Sequence, residues 1–476
     1  MRSNTPQIIA ALDIGTTKIT CIVARKTSNG KLDILAMSKT NSTGVMRGVI
    51  TNIDKTVEAI KTVVADASRK SGIPIYNLYV GIAGQHIKSA IHKAYIMRSH
   101  DQEEINKGDI ARLIDDVYKA AYALDNQIIH VLPQEFNVDA EKGIKDPIGM
   151  SGVRLEGNFH VITGQKSAIQ NIHRCVQRAG YEVVEIMLEP IASAAAVLCA
   201  EEIEAGVALV DIGGGTTDLT LFLDGILRHS AVIPLGGNII TEDIKEGCMV
   251  MPEQAEKLKV KFGSALVEKG QENKFVTING LRGRGPKEIS VRNLSQIIQA
   301  RMEEILEYVY NEIASAGFER KLIGGIVITG GGAQLTQLVH LAQMITGLDI
   351  RIGYADEHLN KHNPIELRNP IYATGIGLAI SALATEQPVS TQKIEEPTAQ
   401  PQPNNETSAQ PTQVINTEAS NNQAHQNTIE EFEEEAPLAL NTNEQATDNW
   451  LSRFLKVSRN WLEGGDKLDD FKNVRN

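Results

Sequence analysis

The chain contains one short sequence pattern twice. Residues 12–24 read LDIGTTKITCIVA and residues 209–222 read LVDIGGGTTDLTLF, and each has an apolar run, an Asp-Ile pair, a glycine turn, two threonines and a second apolar run. Asp13 and Asp211 hold the same place in the two copies, 198 residues apart. Apolar runs joined by a glycine turn are typical of paired strands. The repeat therefore predicts an α/β protein made of two duplicated halves that face a shared cleft.

The two turns have the composition of phosphate-binding loops. Glycine lets backbone N–H groups approach phosphate oxygens, threonine hydroxyls add donors, and an Asp at a strand end can hold Mg²⁺ through water. A third segment, IVITGGGAQL over 326–335, predicts a strand, a triple glycine and then a helix whose N-terminus faces a nucleotide. The predicted site has Asp13 and Asp211 facing Mg²⁺, Lys18 neutralising a phosphate, and nucleotide contacts at Gly15, Thr16, Thr17, Gly213, Gly214, Gly215, Thr216, Thr217, Gly330, Gly331 and Gly332.

Each turn taken alone also has a structural explanation, because glycine is used wherever the backbone needs a positive φ. Three such turns in this order, two of them duplicated, favour nucleotide binding. The chain has neither the G-x-x-x-x-G-K-[ST] pattern of P-loop proteins nor the G-x-G-x-x-G pattern of Rossmann proteins, so both folds are disfavoured.

Local patterns elsewhere agree with an α/β body that ends near residue 384. Apolar residues at helical spacing predict helices over 54–70, 101–124 and 294–313. Apolar runs before glycine turns predict strands over 8–14, 207–212 and 325–330.

The composition changes at about residue 385. Residues 385–447 are rich in Gln, Asn, Thr, Pro and Glu, with six prolines, eleven glutamates and one cation, Lys393. Such a segment buries too little apolar surface to offset its ordering entropy, so we expect a disordered acidic linker. Most of the formal net charge of −12 therefore lies in this linker. A net acidic chain is also not expected to have nucleic acid as a main partner.

A short amphipathic pattern follows the linker. At 100° per residue the two tryptophans of the chain, Trp450 and Trp461, lie about 20° apart on one face of a predicted helix over 448–464. A helix of this kind is typical of an interfacial membrane anchor. A helix that packs back on its own domain is the alternative. The predicted membrane contacts are Trp450, Leu451, Arg453, Phe454, Leu455, Lys456, Val457, Arg459, Trp461 and Leu462.

Other features restrict where the protein resides. The N-terminus lacks the apolar segment of a signal peptide, and no apolar run approaches the roughly 20 residues that span a bilayer. The four cysteines are far apart and show no C-x-x-C spacing, so neither a zinc site nor a disulfide framework is suggested. We expect a protein of the cytoplasm, attached peripherally to a membrane.

The three loops together resemble the phosphate and adenosine motifs of the superfamily that contains actin, the sugar kinases and the DnaK-type chaperones. LEPIASAAAVL (188–198) is similar to its first connecting helix, which implies that Glu189 faces a metal-bound water. AEKLKVKFG (255–263) resembles its ribose-contacting E-x-x-K, which implies that Glu256 and Lys259 contact the nucleotide. A solvated helix face with i,i+3 pairing is the alternative for these two residues.

Within the superfamily, one family is closest in pattern. HVLPQEFNVDAEKGIKDPIGMSGVRLEGNFHVIT (130–163), after VGIAGQHI (80–87), resembles the FtsA family of bacterial cell-division proteins, and the resemblance covers about 7–384 and the tail helix. It implies an actin-like protein that binds ATP and Mg²⁺, forms filaments, and anchors FtsZ at the septum on the cytoplasmic face of the inner membrane. It also implies recruitment of later division proteins. The role implied is structural, and slow ATP hydrolysis is left open.

The same resemblance implies the fold class and its boundaries. We expect actin-like, ribonuclease-H-like duplicated domains with an inserted subdomain, a disordered linker and a C-terminal amphipathic helix. The expected segments are 1–83 and 163–198 (first subdomain), 84–162 (inserted subdomain), 199–242 and 313–384 (second core), 243–312 (smaller subdomain), 385–447 (linker), 448–464 (membrane helix) and 465–476 (tail).

The smaller subdomain is the candidate binding site for the C-terminal tail of FtsZ. Residues 281–304 concentrate cations, and a basic surface suits a short, partly acidic tail. The resemblance implies Arg292 and Arg301 as contacts, while an ordinary solvated charged face is the alternative. A sugar kinase or a DnaK-type chaperone remains the alternative function. The first needs a substrate base and the second a β-rich domain after residue 385, where the linker stands instead.

Overall fold

The computed structural model describes residues 7–27, 30–98, 104–121, 125–280 and 285–384. Its first elements are β1 (Ile8–Ile14), β2 (Lys18–Lys26), β3 (Leu32–Asn41), β4 (Val45–Met46), β5 (Val49–Ile50), α1 (Ile53–Ser71) and β6 (Asn77–Ile82). The Asn52 side chain caps α1 by accepting a hydrogen bond from the Lys55 N–H, and Gly72 ends the helix in the left-handed conformation. The helix predicted over 54–70 is therefore confirmed, with one more residue at each end.

A separate small sheet follows β6. Its strands are β7 (Ile87–Met97), β8 (Asn126–Val138), β9 (Glu141–Ile144) and β10 (Arg154–Gln165), in the sheet order β7-β10-β8-β9. The helix of this region is α2 (Lys107–Ala120), between β7 and β8 in the chain. The apolar side of α2 packs on this sheet, around an edge-to-face pair of Phe136 and Phe159. The predicted helix over 101–124 was too long at its start, because Ile105 instead donates a backbone hydrogen bond to Met150 and Asn106 caps α2.

The chain then returns to the first sheet. The next elements are α3 (Lys166–Arg178), β11 (Glu182–Leu188), α4 (Glu189–Val197) and α5 (Ala200–Ala205). They complete a five-stranded sheet in the order β11-β6-β1-β2-β3.

The second half contains the remaining elements. They are β12 (Val207–Ile212), β13 (Thr217–Leu223), β14 (Ile226–Ile233), α6 (Gly237–Cys248), α7 (Pro252–Phe262), β15 (Phe275–Ile278), β16 (Lys287–Ser290), α8 (Val291–Ser315), β17 (Ile326–Thr329), α9 (Leu338–Thr346), β18 (Ile350–Ile352) and α10 (Ala373–Ala384). A two-stranded sheet, β15-β16, packs with α6, α7 and α8 around one apolar cluster.

The two large sheets have the same topology. The second sheet runs β14-β13-β12-β17-β18, which matches β3-β2-β1-β6-β11 strand for strand. In each, three antiparallel strands are followed by two parallel ones. The duplication predicted from the repeated pattern is therefore present in the fold, and it places the two glycine turns at equivalent edges of the two sheets.

Helices α4 and α10 join the two halves. Both are rich in small residues, and a Cβ at Gly377 would collide with the backbone carbonyl of Ala192, so only glycine allows this approach. Eight of the twelve residues of α10 are buried. The first turn of α10 consequently lies at the junction of both sheets.

Among the described helices, none combines the length and the apolar character that a membrane crossing requires. The predicted linker, the amphipathic helix over 448–464 and the tail over 465–476 lie outside the described residues.

Candidate functional site

The first two predicted loops face each other. Gly15–Thr17 joins β1 to β2, and Gly213–Thr216 joins β12 to β13. A Cβ at Gly214 would collide with the Thr17 methyl group, and a Cβ at Gly215 would lie 2.8 Å from the Thr16 hydroxyl oxygen. The fold therefore brings the two copies of the repeat together across one cleft.

Four carboxylates converge beside these loops. Asp13 and Asp211 end β1 and β12, Glu189 begins α4, and Asp218 lies directly opposite Asp211 in the β12–β13 pair. Burial raises the pKa of Glu189 well above its usual value, and the three neighbouring aspartates raise it further. Burial, reinforced by Asp211, raises the pKa of Asp218 to about 8. Acids that raise one another's pKa in a cleft are typical of a functional site.

Sequence reasoning missed Asp218. Aligning the two copies by their threonine pairs sets Asp218 opposite Lys18, so the repeat contains a cation in one copy and an acid in the other. The buried Oδ1 of Asp218 has no hydrogen-bond partner in the structure, and Oδ2 accepts a long bond of 3.4 Å from Thr216. An unpartnered carboxylate oxygen is the feature expected where a cation or its water shell binds.

Asp211 is held from two sides. Its Oδ2 accepts hydrogen bonds from the Ser193 hydroxyl on α4 at 2.8 Å and from the Thr374 hydroxyl on α10 at 3.2 Å. These two donors lower the pKa of Asp211, but burial outweighs them and the pKa remains raised. Ser193 and Thr374 fix the direction of this carboxylate, and neither was predicted.

Lys18 belongs to the same contact region. Its ammonium group donates to the Ile371 carbonyl oxygen at 2.5 Å and lies 3.5 Å from Asp13 Oδ2. It also lies 5.5 Å from the centre of the buried Tyr372 ring, a cation–π distance. The predicted phosphate-neutralising lysine is therefore in the cleft, bonded to the segment that precedes α10.

The third loop follows β17, as predicted, but its continuation differs. Gly332–Gln334 forms a short 3-10 turn, and α9 begins only at Leu338 because Gln337 takes a left-handed conformation with φ +64°. The prediction of an α-helix directly after the triple glycine was therefore wrong. Gly330 has φ +84° and packs against Asp211, whereas Gly331 borders open space.

The two other predicted nucleotide contacts, Glu256 and Lys259, extend the cleft toward the smaller subdomain. The Lys259 ammonium pairs with Glu256 at 2.7 Å and donates to the Gly237 carbonyl oxygen at 2.8 Å. Gly237 in turn donates its N–H to the Gly213 carbonyl oxygen at 2.9 Å. The i,i+3 ion pair that a solvated helix face would show is therefore present between Glu256 and Lys259. Lys259 also connects α7 to the second loop, through Gly237 at the start of α6.

The two threonines of the second loop differ in placement. The Thr217 side chain is fully buried, and its hydroxyl donates to the Leu235 carbonyl oxygen at 2.9 Å. This hydroxyl is therefore engaged by the protein's own backbone, and the role of Thr217 as a nucleotide contact stays a prediction. Thr216 is also mostly buried, next to Asp218.

Replacing Asp218 by Asn is expected to stabilise the ligand-free protein at neutral and alkaline pH. The folded pKa of about 8 exceeds the value of about 3.9 for an unfolded Asp, so wild-type stability falls as pH rises between these values. Asn stays neutral, so Asp218→Asn should raise the melting temperature by roughly 2–6 °C at pH 8 and by less at pH 5. Calorimetric melts at both pH values test this, and a shift that does not grow with pH would contradict it.

The two predicted partner-binding arginines have different surroundings. Arg292 lies exposed in the first turn of α8. Arg301 instead forms a two-pronged pair with Asp243 on α6, at 2.6 and 3.0 Å, and also bonds Glu304. Arg301 is therefore engaged within the subdomain, and the structure favours Arg292 as the freer cation.

Two family models match the chain. One is described as "Cell division protein FtsA" and matches residues 208–377, and the other, "SHS2 domain inserted in FTSA", matches residues 84–163. A solved PilM–PilN type IV pilus biogenesis complex contains a chain with TM-score 0.59 and 14% identity, covering 79% of this chain and 98% of that one. The predicted actin-like α/β fold with an inserted subdomain is confirmed for the body.

Curated relatives named "Cell division protein FtsA" match most of the chain. The protein of Pseudomonas aeruginosa is 38% identical over 379 residues, covering 79% of this chain and 89% of that protein. The protein of Bacillus subtilis is 35% identical over 375 residues, with coverage of 79% and 83%. These comparisons give no support to the sugar-kinase or chaperone alternative. At this identity and coverage, the chain belongs to the FtsA family of cell-division proteins.

Proposed function

We propose that this protein binds ATP, assembles into filaments on the cytoplasmic face of the inner membrane at the septum, anchors FtsZ there and recruits later division proteins. One observation supports it above all. Three glycine loops and four carboxylates meet in one cleft between duplicated halves, in a chain of the FtsA family.

The nucleotide would lie between the two facing loops. Glycines of all three loops offer backbone N–H groups to phosphates, and Lys18 neutralises their charge after leaving the Ile371 carbonyl. Lys259 and Glu256 form an ion pair that is tied to the start of α6, and they would contact the ribose. Gly331 is the open position of the third loop, on the side expected for the adenosine.

The acids suit a hydrated divalent cation. Within the described ranges no three His, Cys, Asp or Glu side chains are grouped as direct metal ligands, so these acids would reach Mg²⁺ through water. Asp13, Asp211 and Asp218 would hold its water shell, and the cation would neutralise phosphate charge. Ionisation of neighbouring buried aspartates is costly without such a cation, which fits the raised pKa values of Asp211 and Asp218.

The nucleotide would act chiefly as a ligand that promotes assembly. Glu189 would orient a water, as a slow ATPase requires, whereas the aspartates beside it, Asp13, Asp211 and Asp218, would hold the water shell of the metal. A single amphipathic helix binds a membrane weakly and reversibly, whereas a filament presents many tails at once. Assembly on ATP would therefore strengthen attachment to an anionic membrane without any new contact.

FtsZ would bind the smaller subdomain over 243–312 through its C-terminal tail. Arg292 is exposed. Backbone hydrogen bonds lower the pKa of the exposed Glu272, and the charge of Arg292 lowers it further. Arg301 would act indirectly, by holding α8 against α6 through Asp243.

The arginine assignment predicts a clear loss of FtsZ recruitment. Arg292→Glu should lower the amount of co-sedimenting FtsZ by about tenfold, because a repulsive charge replaces an attractive one. The assay sediments FtsZ with this protein and anionic liposomes in the presence of Mg·ATP. Arg320→Glu makes the same charge change at another exposed arginine and serves as the matched control. Equal recruitment by the two variants would exclude Arg292 as a contact, and no recruitment by wild type would overturn the proposed function.

A further inference from the structure

A short hairpin of the first half touches both of the facing glycine loops. Its strands β4 and β5 pair directly on either side of a two-residue turn, Arg47 and Gly48. The Gly48 N–H donates to the Thr16 hydroxyl oxygen of the first loop at 3.2 Å. A Cβ at Gly215 of the second loop would lie 3.0 Å from the backbone N and Cα of Arg47. The turn therefore lies where the two loops face each other.

The backbone of this turn has an unusual conformation. Arg47 and Gly48 both have positive φ, +50° and +75°, as expected for the tight turn of a two-residue hairpin. Glycine is required at position 48, because a Cβ there would lie 2.6 Å from the Ala83 carbonyl oxygen and from the Gly84 Cα. Arginine at position 47 has a cost, because positive φ strains a side chain and glycine or asparagine tolerates it better. A strained residue beside a binding site is typical of a functional role.

Arg47 also brings an unpaired positive charge to the cleft. It is exposed, and it forms no salt bridge with the other residues that the structure describes. The two lysines predicted for the cleft differ in this respect, since Lys18 lies beside Asp13 and Lys259 pairs with Glu256. Nucleotide phosphates would add negative charge to a cleft that already contains four carboxylates. An unpaired cation at its edge is therefore the complement that such a ligand needs.

The position of the turn along the second loop indicates which phosphate it would face. The third loop packs at the start of the second, because a Cβ at Gly330 or Gly332 would collide with Ile212. Arg47 instead contacts the second loop at Gly215, near its other end. Since the third loop is on the side proposed for the adenosine, Arg47 lies toward the opposite end of the nucleotide.

We propose that Arg47 is a further phosphate-contact residue that binds the outermost phosphate of a nucleoside triphosphate, and that Gly48 orients the Thr16 hydroxyl beside it. The inference rests on the proposed function, because it needs ATP in the cleft. A guanidinium group offers a planar fork of N–H donors that matches two phosphate oxygens. The Thr16 oxygen accepts the Gly48 N–H, so its own hydrogen remains available for a phosphate oxygen.

Such a contact would let the site count phosphates. A nucleoside diphosphate lacks the group that Arg47 binds, so its affinity would depend little on this residue. A triphosphate would gain a charge-assisted hydrogen bond that the diphosphate cannot form. Because the nucleotide is proposed to promote assembly, Arg47 would connect filament formation to the presence of the third phosphate.

The test uses full-length Arg47→Gly, which removes the side chain and relieves the strained φ together. The ligand-free variant should melt within about 3 °C of wild type, since glycine suits this conformation. Isothermal titration calorimetry with Mg²⁺ then measures its affinity for ATP and for ADP. Affinity for ATP should fall by about 10- to 100-fold, the usual effect of losing a hydrogen bond to a charged group. Affinity for ADP should change by less than about threefold.

Two further variants separate charge from backbone. Arg47→Lys keeps the charge without the fork and should lose ATP affinity by only about three- to tenfold. Arg320→Gly makes the same replacement at another exposed arginine and should bind both nucleotides like wild type.

Three results would contradict this assignment. Unchanged ATP affinity in Arg47→Gly would overturn the inference and leave the proposed function intact. A loss that ADP shares equally, or that Arg47→Lys does not reduce, would assign the effect to the backbone of the turn and would also overturn it. Failure of wild type to bind ATP would overturn both the inference and the proposed function.

Discussion

Replacing Gly331 by leucine is expected to abolish ATP binding without unfolding the protein. A Cβ at Gly331 meets no atom within 4 Å, and its backbone angles, φ −65° and ψ −36°, suit any residue. The added side chain would therefore project into the space where the nucleotide is proposed to bind. Affinity for a fluorescent ATP analogue should fall by at least about 100-fold, and ATP-dependent filament formation should be lost with it.

Two neighbouring or similar glycines make this test specific. Gly285 is also open on the β15–β16 connection, so Gly285→Leu should leave ATP affinity within about twofold. Gly330 has φ +84° and packs on Asp211, so Gly330→Leu should lower the melting temperature strongly and cannot serve as a clean probe. If Gly331→Leu folds normally and retains ATP affinity, the third loop does not belong to the site.

Truncation after Thr447 is expected to remove nearly all binding to anionic vesicles. It deletes the predicted amphipathic helix, whose apolar face contains both tryptophans of the chain. Co-sedimentation in Mg·ATP should fall by at least about tenfold, because many tails act together in a filament. Truncation after Gly465 removes only the last residues and should bind like wild type. Undiminished sedimentation of the shorter chain would instead favour membrane contact through the body.

The duplicated topology and the first two loops could be predicted from sequence because they depend on local patterns that occur twice. A strand, a glycine turn and a pair of threonines recur around Asp13 and Asp211. Equivalent strands of the two sheets therefore place the two aspartates in equivalent positions. The third loop was predicted less well. Its triple glycine is visible in the sequence, but the left-handed Gln337 that delays α9 has no strong local signal.

Long-range contacts account for most of what was missed. Lys18 bonds Ile371, 353 residues away, and Asp211 bonds Thr374, 163 residues away, so no spacing rule reveals either contact. Arg292 and Arg301 look equivalent in sequence, and only the fold shows Asp243 beside Arg301. Asp218 is different, because comparing the two copies position by position would have found it.

The burial of α10 has a mechanical consequence. The described residues end with this helix at Ala384, so tension applied through the chain beyond it acts first on α10. The helix lies against α4 with Gly377 on Ala192, and its first turn bonds Asp211 through Thr374. Pulling the helix out would expose its eight buried residues to water. Strain that reaches the body through α10, as the proposed membrane anchor would apply it, would therefore act first at the junction of the two halves.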